Sequence, residues 1–451
     1  MSRATLSSPG PRLAAWGLAA MLVLIAAAIA IPALTGWNVR VKSFPPLHAE
    51  WMPRIGPGTP LAVLLGLAGV LWGPRLATSA RWGRLLMISF AASALWLFAL
   101  ATVDGLDGIG SILDHRYEYL GTARDVDDFG ATLREYVERI PYDHPDNWPV
   151  HIAGHPPGAL LFFVILVRLG LGSALAAGTV VLLLGATTVV AVMLTVRALA
   201  AEGFARRAAP FLVFTPAAIW VAVSGDGMFM AVAAWGICAL ALATRALGLV
   251  RIAWSVLAGV LLGYCVMLSY GLPLLGVLAV AVLVSGRSWV PLPIAGAAAL
   301  AVVGLFAVNG FAWWEAFPVL QQRYWEGVAS RRPPGYWLWG NLAAFGVSAG
   351  PAIGASMAAV GGGAFAALRS RGRLVVNPRV VVLMLAAAGW AMVLLADLSN
   401  MSRAEVERIW LPFVPWATLG LALFGARAGR WLLGAQIGFA IVAQSLLSTG
   451  W

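Results

Sequence analysis

The stretch Asp104–Gly158, DGLDGIGSILDHRYEYLGTARDVDDFGATLREYVERIPYDHPDNWPVHIAGHPPG, is a polar island in a chain that is otherwise almost continuously apolar. It holds most of the 19 acidic residues and four of the 5 histidines, and it ends in His-Pro-Pro-Gly at the mouth of an apolar run. A membrane protein has no packing reason to gather that many titratable groups in one loop, so the chemistry is expected here.

The surroundings of the island set the class. With 61% hydrophobic residues, 11% charged residues and a mean hydropathy of +0.86, a water-soluble fold would have no surface to offer its solvent. Apolar runs lie near 14–34, 59–78, 84–103, 157–171, 174–198, 208–223 and 227–246. Others lie near 252–269, 271–285, 290–309, 338–360, 380–397, 411–426 and 431–449. Backbone in lipid must satisfy its own hydrogen bonds, so these runs are expected to be helices. The expected fold is an all-α polytopic bundle of about 12–14 transmembrane helices, one domain over residues 1–451.

The formal charge of +11 does not indicate nucleic acid as a partner. The cations are nearly all arginine and sit in short clusters between apolar runs, such as Arg75/Arg81/Arg84, Arg369/Arg371/Arg373/Arg379 and Arg427/Arg430. That is the pattern of cytoplasmic turns. It places the loops 104–156, 310–337 and 398–410 together on the outer face of a bacterial plasma membrane. The segment 157–197 holds two apolar runs but needs an odd number of crossings, so one run is expected to be broken or re-entrant. Cys238 and Cys265 lie inside apolar runs and imply no disulfide framework. The first run, after Arg3 and Arg12, reads as a retained helix and not a signal peptide.

Within the island, Thr122 is placed to cap a helix, with Asp125 three residues on. Val126, Phe129, Leu133, Tyr136 and Ile140 then share one face, which predicts an amphipathic helix lying on the membrane surface. Pro156-Pro157 suits the first turn of the next membrane helix.

These residues resemble a family. Asp114-His115-Arg116-Tyr117, a surface-lying helix and His155-Pro156-Pro157 look like the first external loop of the GT-C glycosyltransferases, nearest in pattern to the protein O-mannosyltransferases and the lipid A aminoarabinose transferases. The run from Pro216 to Asp226-Gly-Met-Phe resembles a family helix ended by Pro and followed by an external Asp. Glu405-Val-Glu-Arg408-Ile-Trp-Leu-Pro412-Phe-Val-Pro415 resembles the opening of a late helix. Two points depart from the family pattern: two further helices precede the one that leads into the acidic loop, and His115 stands where a second acidic residue is usual. The resemblance implies an inverting transfer of a sugar from a polyprenyl-phosphate donor to a glycan, glycolipid or protein acceptor.

Such a transfer needs a base at the acceptor oxygen and positive charge, or a divalent metal, on the departing phosphate. The resemblance points to Asp114 as the base. Asp104 is its rival, because it sits where the third helix meets water. Arg408 is the candidate phosphate ligand, since positive-inside statistics disfavour an arginine there and a guanidinium grips phosphate by two hydrogen bonds. Glu118, His155, Asp226 and Glu405 are candidate substrate contacts, with Arg323 and Tyr324 in an aromatic loop suited to sugar rings. His151 and His155 are four apart, a metal-ligand spacing on a helix, but Pro149, Pro156 and Pro157 argue against helix there. Tyr336-Trp337-Leu-Trp339 reads as an interfacial belt.

No Walker A, Gly-x-Gly-x-x-Gly, His-Glu-x-x-His or paired-Cys motif occurs. A secondary transporter or flippase would instead place charge within broken helices. A non-catalytic envelope-assembly protein would not need the His-Pro-Pro and Arg408 features. Convergence of Asp104, Asp114, Asp226 and Arg408 on one cavity separates these readings.

Overall fold

A computed structural model describes residues 8–369 and 377–449. Arg3, Arg371 and Arg373, used above to orient the chain, lie outside the described residues. From the N-terminal side come α1 (Pro11–Thr35), β1 (Ala49–Trp51), α2 (Thr59–Ser79) and α3 (Trp82–Ala101), and the island then contributes α4 (Tyr119–Asp125), α5 (Phe129–Glu135) and α6 (Val150–Ala153). Next follow α7 (Gly158–Arg168), α8 (Ala174–Leu199), α9 (Glu202–Val213), α10 (Ala218–Val221) and α11 (Asp226–Arg245). After these come α12 (Gly248–Leu268), α13 (Leu275–Gly286), α14 (Pro291–Val308), α15 (Trp313–Glu326), α16 (Pro334–Ser348) and α17 (Ile353–Arg369). The chain closes with α18 (Pro378–Leu398), α19 (Val406–Ile409), α20 (Val414–Thr418), α21 (Ala426–Leu446) and β2 (Leu447–Thr449).

Among the described residues, eight helices are long and apolar enough to cross a bilayer: α1, α2, α3 with its 3₁₀ extension to Asp104, α8, α11, α12, α14 and α18. The bundle is therefore all-α and polytopic. α11 is its most enclosed span, flanked by α8 and α12, with α14 beyond α12. α1 and α17 meet through bare backbone: a Cβ on Gly17 would fall 2.4 Å from the Gly354 carbonyl oxygen, and one on Gly354 would fall 2.2 Å from that of Gly17. The only strands among the described residues are β1 and β2, paired antiparallel with Glu50 opposite Ser448.

Several apolar runs depart from single crossings, for identifiable reasons. α7 has 11 residues, about 16 Å at 1.5 Å per residue, half of a hydrocarbon core. It is too short to cross alone, whereas α8 is long and apolar enough to do so. The run 208–223 breaks between α9 and α10 at Pro216, which has no N–H to continue a helix. There the buried Gln436 amide donates to the carbonyls of Phe211 and Phe214 (2.9 and 3.1 Å), satisfying groups the break leaves over. The run 338–360 is two helices, α16 and α17, bent by 114° around Gly350 (φ 84°) and Pro351. Pro412 and Pro415 reduce 411–426 to short turns.

The island also differs from its expected single helix. Val126 is extended, and Asp128, not Thr122, is the cap: its carboxylate accepts from the backbone N–H groups of Gly130 and Ala131. Thr122 lies inside α4. Leu133, Tyr136 and Ile140 are buried against the bundle, so this face packs on protein. Tyr136 donates to the carbonyls of Ile152 and His155 and thereby ties α5 to the His-Pro-Pro turn. The expected belt at Tyr336 and Trp337 is likewise interior: both are buried, donating to the carbonyls of Ala28 and Val39.

Candidate active site

Four polar side chains from three distant segments close into one buried cluster. Glu118 stands just ahead of α4 and His151 lies on α6. Asp226 opens α11, where a carboxylate is favoured by the helix dipole. Arg408 sits on the single turn of α19. Glu118, Asp226 and Arg408 are each 2% exposed and His151 is 7% exposed. The His151 backbone N–H donates to the Tyr117 carbonyl (3.2 Å), which fixes α6 beside Glu118.

Arg408 Nη1 donates to Asp226 Oδ2 at 2.8 Å and stands 3.9 Å from Glu118 Oε1. Its Nη2 lies 3.2 Å from His151 Nε2, and His151 Nδ1 lies 2.5 Å from Glu118 Oε1. These contacts fix the protons. A guanidinium only donates, so Nε2 of His151 is the acceptor, and the proton on Nδ1 is donated to Glu118. The imidazole is held between a carboxylate and a guanidinium. Burial alone would raise the Glu118 carboxyl, but His151 and Arg408 outweigh it and hold it below its ordinary value. Burial likewise disfavours the Arg408 cation, yet Asp226 and Glu118 raise it net. His155, whose Nδ1 donates to the His151 carbonyl at 2.7 Å, is pushed down to about 4, chiefly by burial, and is neutral at pH 7.

His151, His155 and Arg408 face a cavity of about 540 Å³. Its walls come from the island, from 310–337 and from 398–410, the three loops assigned to one face from sequence, together with the 269–274 turn. Arg323, Tyr324, Arg332, Arg403 and Glu405 line one side, and Tyr270, Trp313 and Phe317 another. Arg323 donates to the carbonyls of Ile140 and Trp148, locking its loop onto the island. Arg403 donates to the Arg332 carbonyl (2.9 Å), and Arg332 pairs with Glu405 (3.2 Å), whose carboxyl is lowered by Arg332 and Arg408 against the opposing effect of burial. The Tyr324 hydroxyl accepts from the Arg403 backbone N–H (2.9 Å). Trp313 and Phe317 stack with ring centroids 5.2 Å apart and planes 11° apart, an apolar shelf. Asn400, Ala404 and Glu405 all have left-handed backbone (φ 58°, 73° and 65°), so the loop carrying Arg403 and Arg408 is held in a costly conformation by its partners.

Of the residues singled out from sequence, Glu118, Asp226 and Arg408 meet in the cluster, and His155, Arg323, Tyr324 and Glu405 line the cavity. Asp104 and Asp114 do neither. Asp104 is paired with Arg54 (2.6 Å) and Asp114 with Arg124 (2.6 Å), both on exposed surface. His151 is the residue that sequence reading set aside. Pro149 does not prevent a helix there but starts one, capping α6 and turning His151 inward. In the cluster Arg408 stands between the carboxylates of Asp226 and Glu118. No group of three or more His, Cys, Asp or Glu among the described residues is arranged to hold a metal ion.

No family model matches this chain, and no curated protein does. Among solved structures, the Archaeoglobus fulgidus oligosaccharyltransferase, in complex with zinc and sulfate, is similar to it with a TM-score of 0.50 and 14% sequence identity. The match covers 80% of this chain and 53% of that one, so the chain spans about half the length of that protein. What the two share is the fold, an all-α polytopic membrane bundle.

Proposed function

We propose that this chain is a membrane glycosyltransferase that moves a sugar from a polyprenyl-phosphate donor to a hydroxyl of a cell-envelope glycan, glycolipid or protein, on the external face of a bacterial plasma membrane. The observation that carries this reading is the single cavity floored by His151 and Arg408 and walled by three further arginines against one glutamate. Such a surplus of guanidinium groups in a low-dielectric pocket draws an anionic phosphate and stabilises it as it departs. The architecture shared with an oligosaccharyltransferase supports sugar transfer as the chemistry.

In this reading the donor phosphate rests on Arg408, with Arg332 and Arg403 adding positive field. The sugar lies along the Trp313–Phe317 shelf. The acceptor oxygen attacks the anomeric carbon from the side opposite the phosphate, and the carbon–oxygen bond to phosphate breaks with inversion. Charge on the leaving phosphate is met by arginine. Asp104 and Asp114 stand outside the cavity on their own arginines, so we place the proton acceptor at the cavity floor.

The test is sugar transfer by the purified protein in nanodiscs, with a panel of radiolabelled polyprenyl-phosphate sugars and envelope acceptors. Turnover abolished by Arg408→Met in a folded protein supports the reading. No donor binding and no turnover across the panel, with folded protein, would overturn it in favour of a transporter or an assembly partner.

A further inference from the structure

The cluster holds a chemical arrangement that phosphate binding does not account for: a buried carboxylate, an imidazole and a guanidinium in series, with the imidazole at the cavity. We propose that His151, positioned by Glu118, is the base that takes the acceptor's proton, and that Arg408 caps it until a donor phosphate binds. The proposal rests on the glycosyl-transfer reading above.

The geometry carries it in three steps. Glu118 Oε1 accepts the Nδ1 proton of His151 at 2.5 Å, which holds the tautomer and stabilises an imidazolium if one forms. The second ring nitrogen, Nε2, is then the basic one, and His151 lines the cavity whereas Glu118 is 2% exposed behind it. Arg408 Nη2 donates to that nitrogen at 3.2 Å, and while that contact holds no proton can be taken there. A phosphate oxygen competes for the same guanidinium edge and wins, because an anion adds Coulomb attraction and a bidentate fit that a neutral ring nitrogen lacks. Arg408 keeps its Nη1 contact with Asp226 (2.8 Å) as a pivot.

The step balances. The acceptor O–H bond breaks and its proton passes to His151 Nε2. The acceptor oxygen forms the new bond to the anomeric carbon, and the electron pair of the old bond leaves with the polyprenyl phosphate. The groups acting on His151 include Glu118 from the island, Arg408 from α19, His155 one turn on and Glu405 from the 398–410 loop. Tyr119 and Asp226 are the next titratable neighbours. The arrangement makes the base available only when there is something to react with.

Two measurements test it. His151→Ala should bind polyprenyl phosphate within a few-fold of wild type, lose transfer by about 10²–10⁴-fold and regain it with added imidazole. Transfer within about tenfold of wild type, or a loss that imidazole leaves unchanged, would overturn the base. His151→Gln serves if the alanine variant unfolds, with loss of transfer and retained donor binding expected. For the cap, ¹⁵N-histidine spectra are recorded with and without a short polyprenyl phosphate, whose occupancy is followed by ³¹P. The His151 Nε2 signal should move towards that of an acceptor nitrogen without a hydrogen bond. Bound phosphate with an unmoved Nε2 would overturn the cap while leaving the functional reading intact, and failure of polyprenyl phosphate to bind would overturn both.

Discussion

Replacing Arg408 with methionine removes the one cation held between two buried carboxylates. At an effective dielectric of about 20, unit charges at the observed 2.8 Å (Asp226) and 3.9 Å (Glu118) attract by about 6 and about 4 kcal/mol. Much of this offsets the cost of taking three charges out of water. Deleting the cation leaves that cost uncompensated, so the expected destabilisation is about 3–5 kcal/mol. Adding Asp226→Asn removes one of the stranded charges. The double variant should therefore be less damaged than the sum of the singles, with a coupling of about 2 kcal/mol. The assay is reversible unfolding by SDS in mixed micelles, followed by tryptophan fluorescence for the wild type, both singles and the double. An Arg408→Met protein within about 0.5 kcal/mol of wild type, or strict additivity, would refute the claim that these charges form one buried cluster.

Further expectations concern pH, surface charge and packing. His155 has its folded value depressed to about 4 from an ordinary 6.5, so its contribution to stability is complete above pH 6.5 and is lost as pH falls towards 4. The loss should be of order 3 kcal/mol and absent in His155→Gln, as read from unfolding midpoints across that range. Glu118, also depressed in the fold, keeps its contribution above the ordinary carboxylate range and loses it only as pH falls through its lowered folded value. Asp114→Asn and Asp104→Asn each break an exposed ion pair and should cost at most about 1 kcal/mol, with sugar transfer within a few-fold of wild type. A large loss of transfer in either would return the base to the island's surface. Gly158→Ala would put a Cβ 2.4 Å from the Met267 carbonyl oxygen at the start of α7, at an expected cost of about 1–3 kcal/mol in the same unfolding assay.

The sequence made the polytopic class, the converging loops and the Arg408–Asp226 half of the site readable, because each rests on a local signal. Hydropathy marks spans, and an arginine set among glutamates between two apolar runs stands out. The partners of Asp104 and Asp114 left no such trace. Arg54 is 50 residues from Asp104, and the Arg124 pairing with Asp114 depends on how a 3₁₀ turn hands over to α4. Three residues separate Asp114 from Glu118, and only the turn between them decides which faces water and which faces Arg408. His151 was obscured by its prolines, which read as helix breakers although Pro149 in fact begins a turn. Tyr336 and Trp337 read as a belt because aromatic composition does not tell an interface from a core.

The pairing of β1 with β2 has a consequence in time. Arg54, which holds Asp104, also donates to the Leu447 carbonyl, 393 positions further along the chain. At ordinary rates of synthesis that carbonyl emerges roughly 20–80 s after Arg54 does. Through that interval β1 is an open edge, although Arg54 already has Asp104 as a partner. The pairing of β1 is thus among the last contacts to be made, and it waits on the synthesis of α21 and β2.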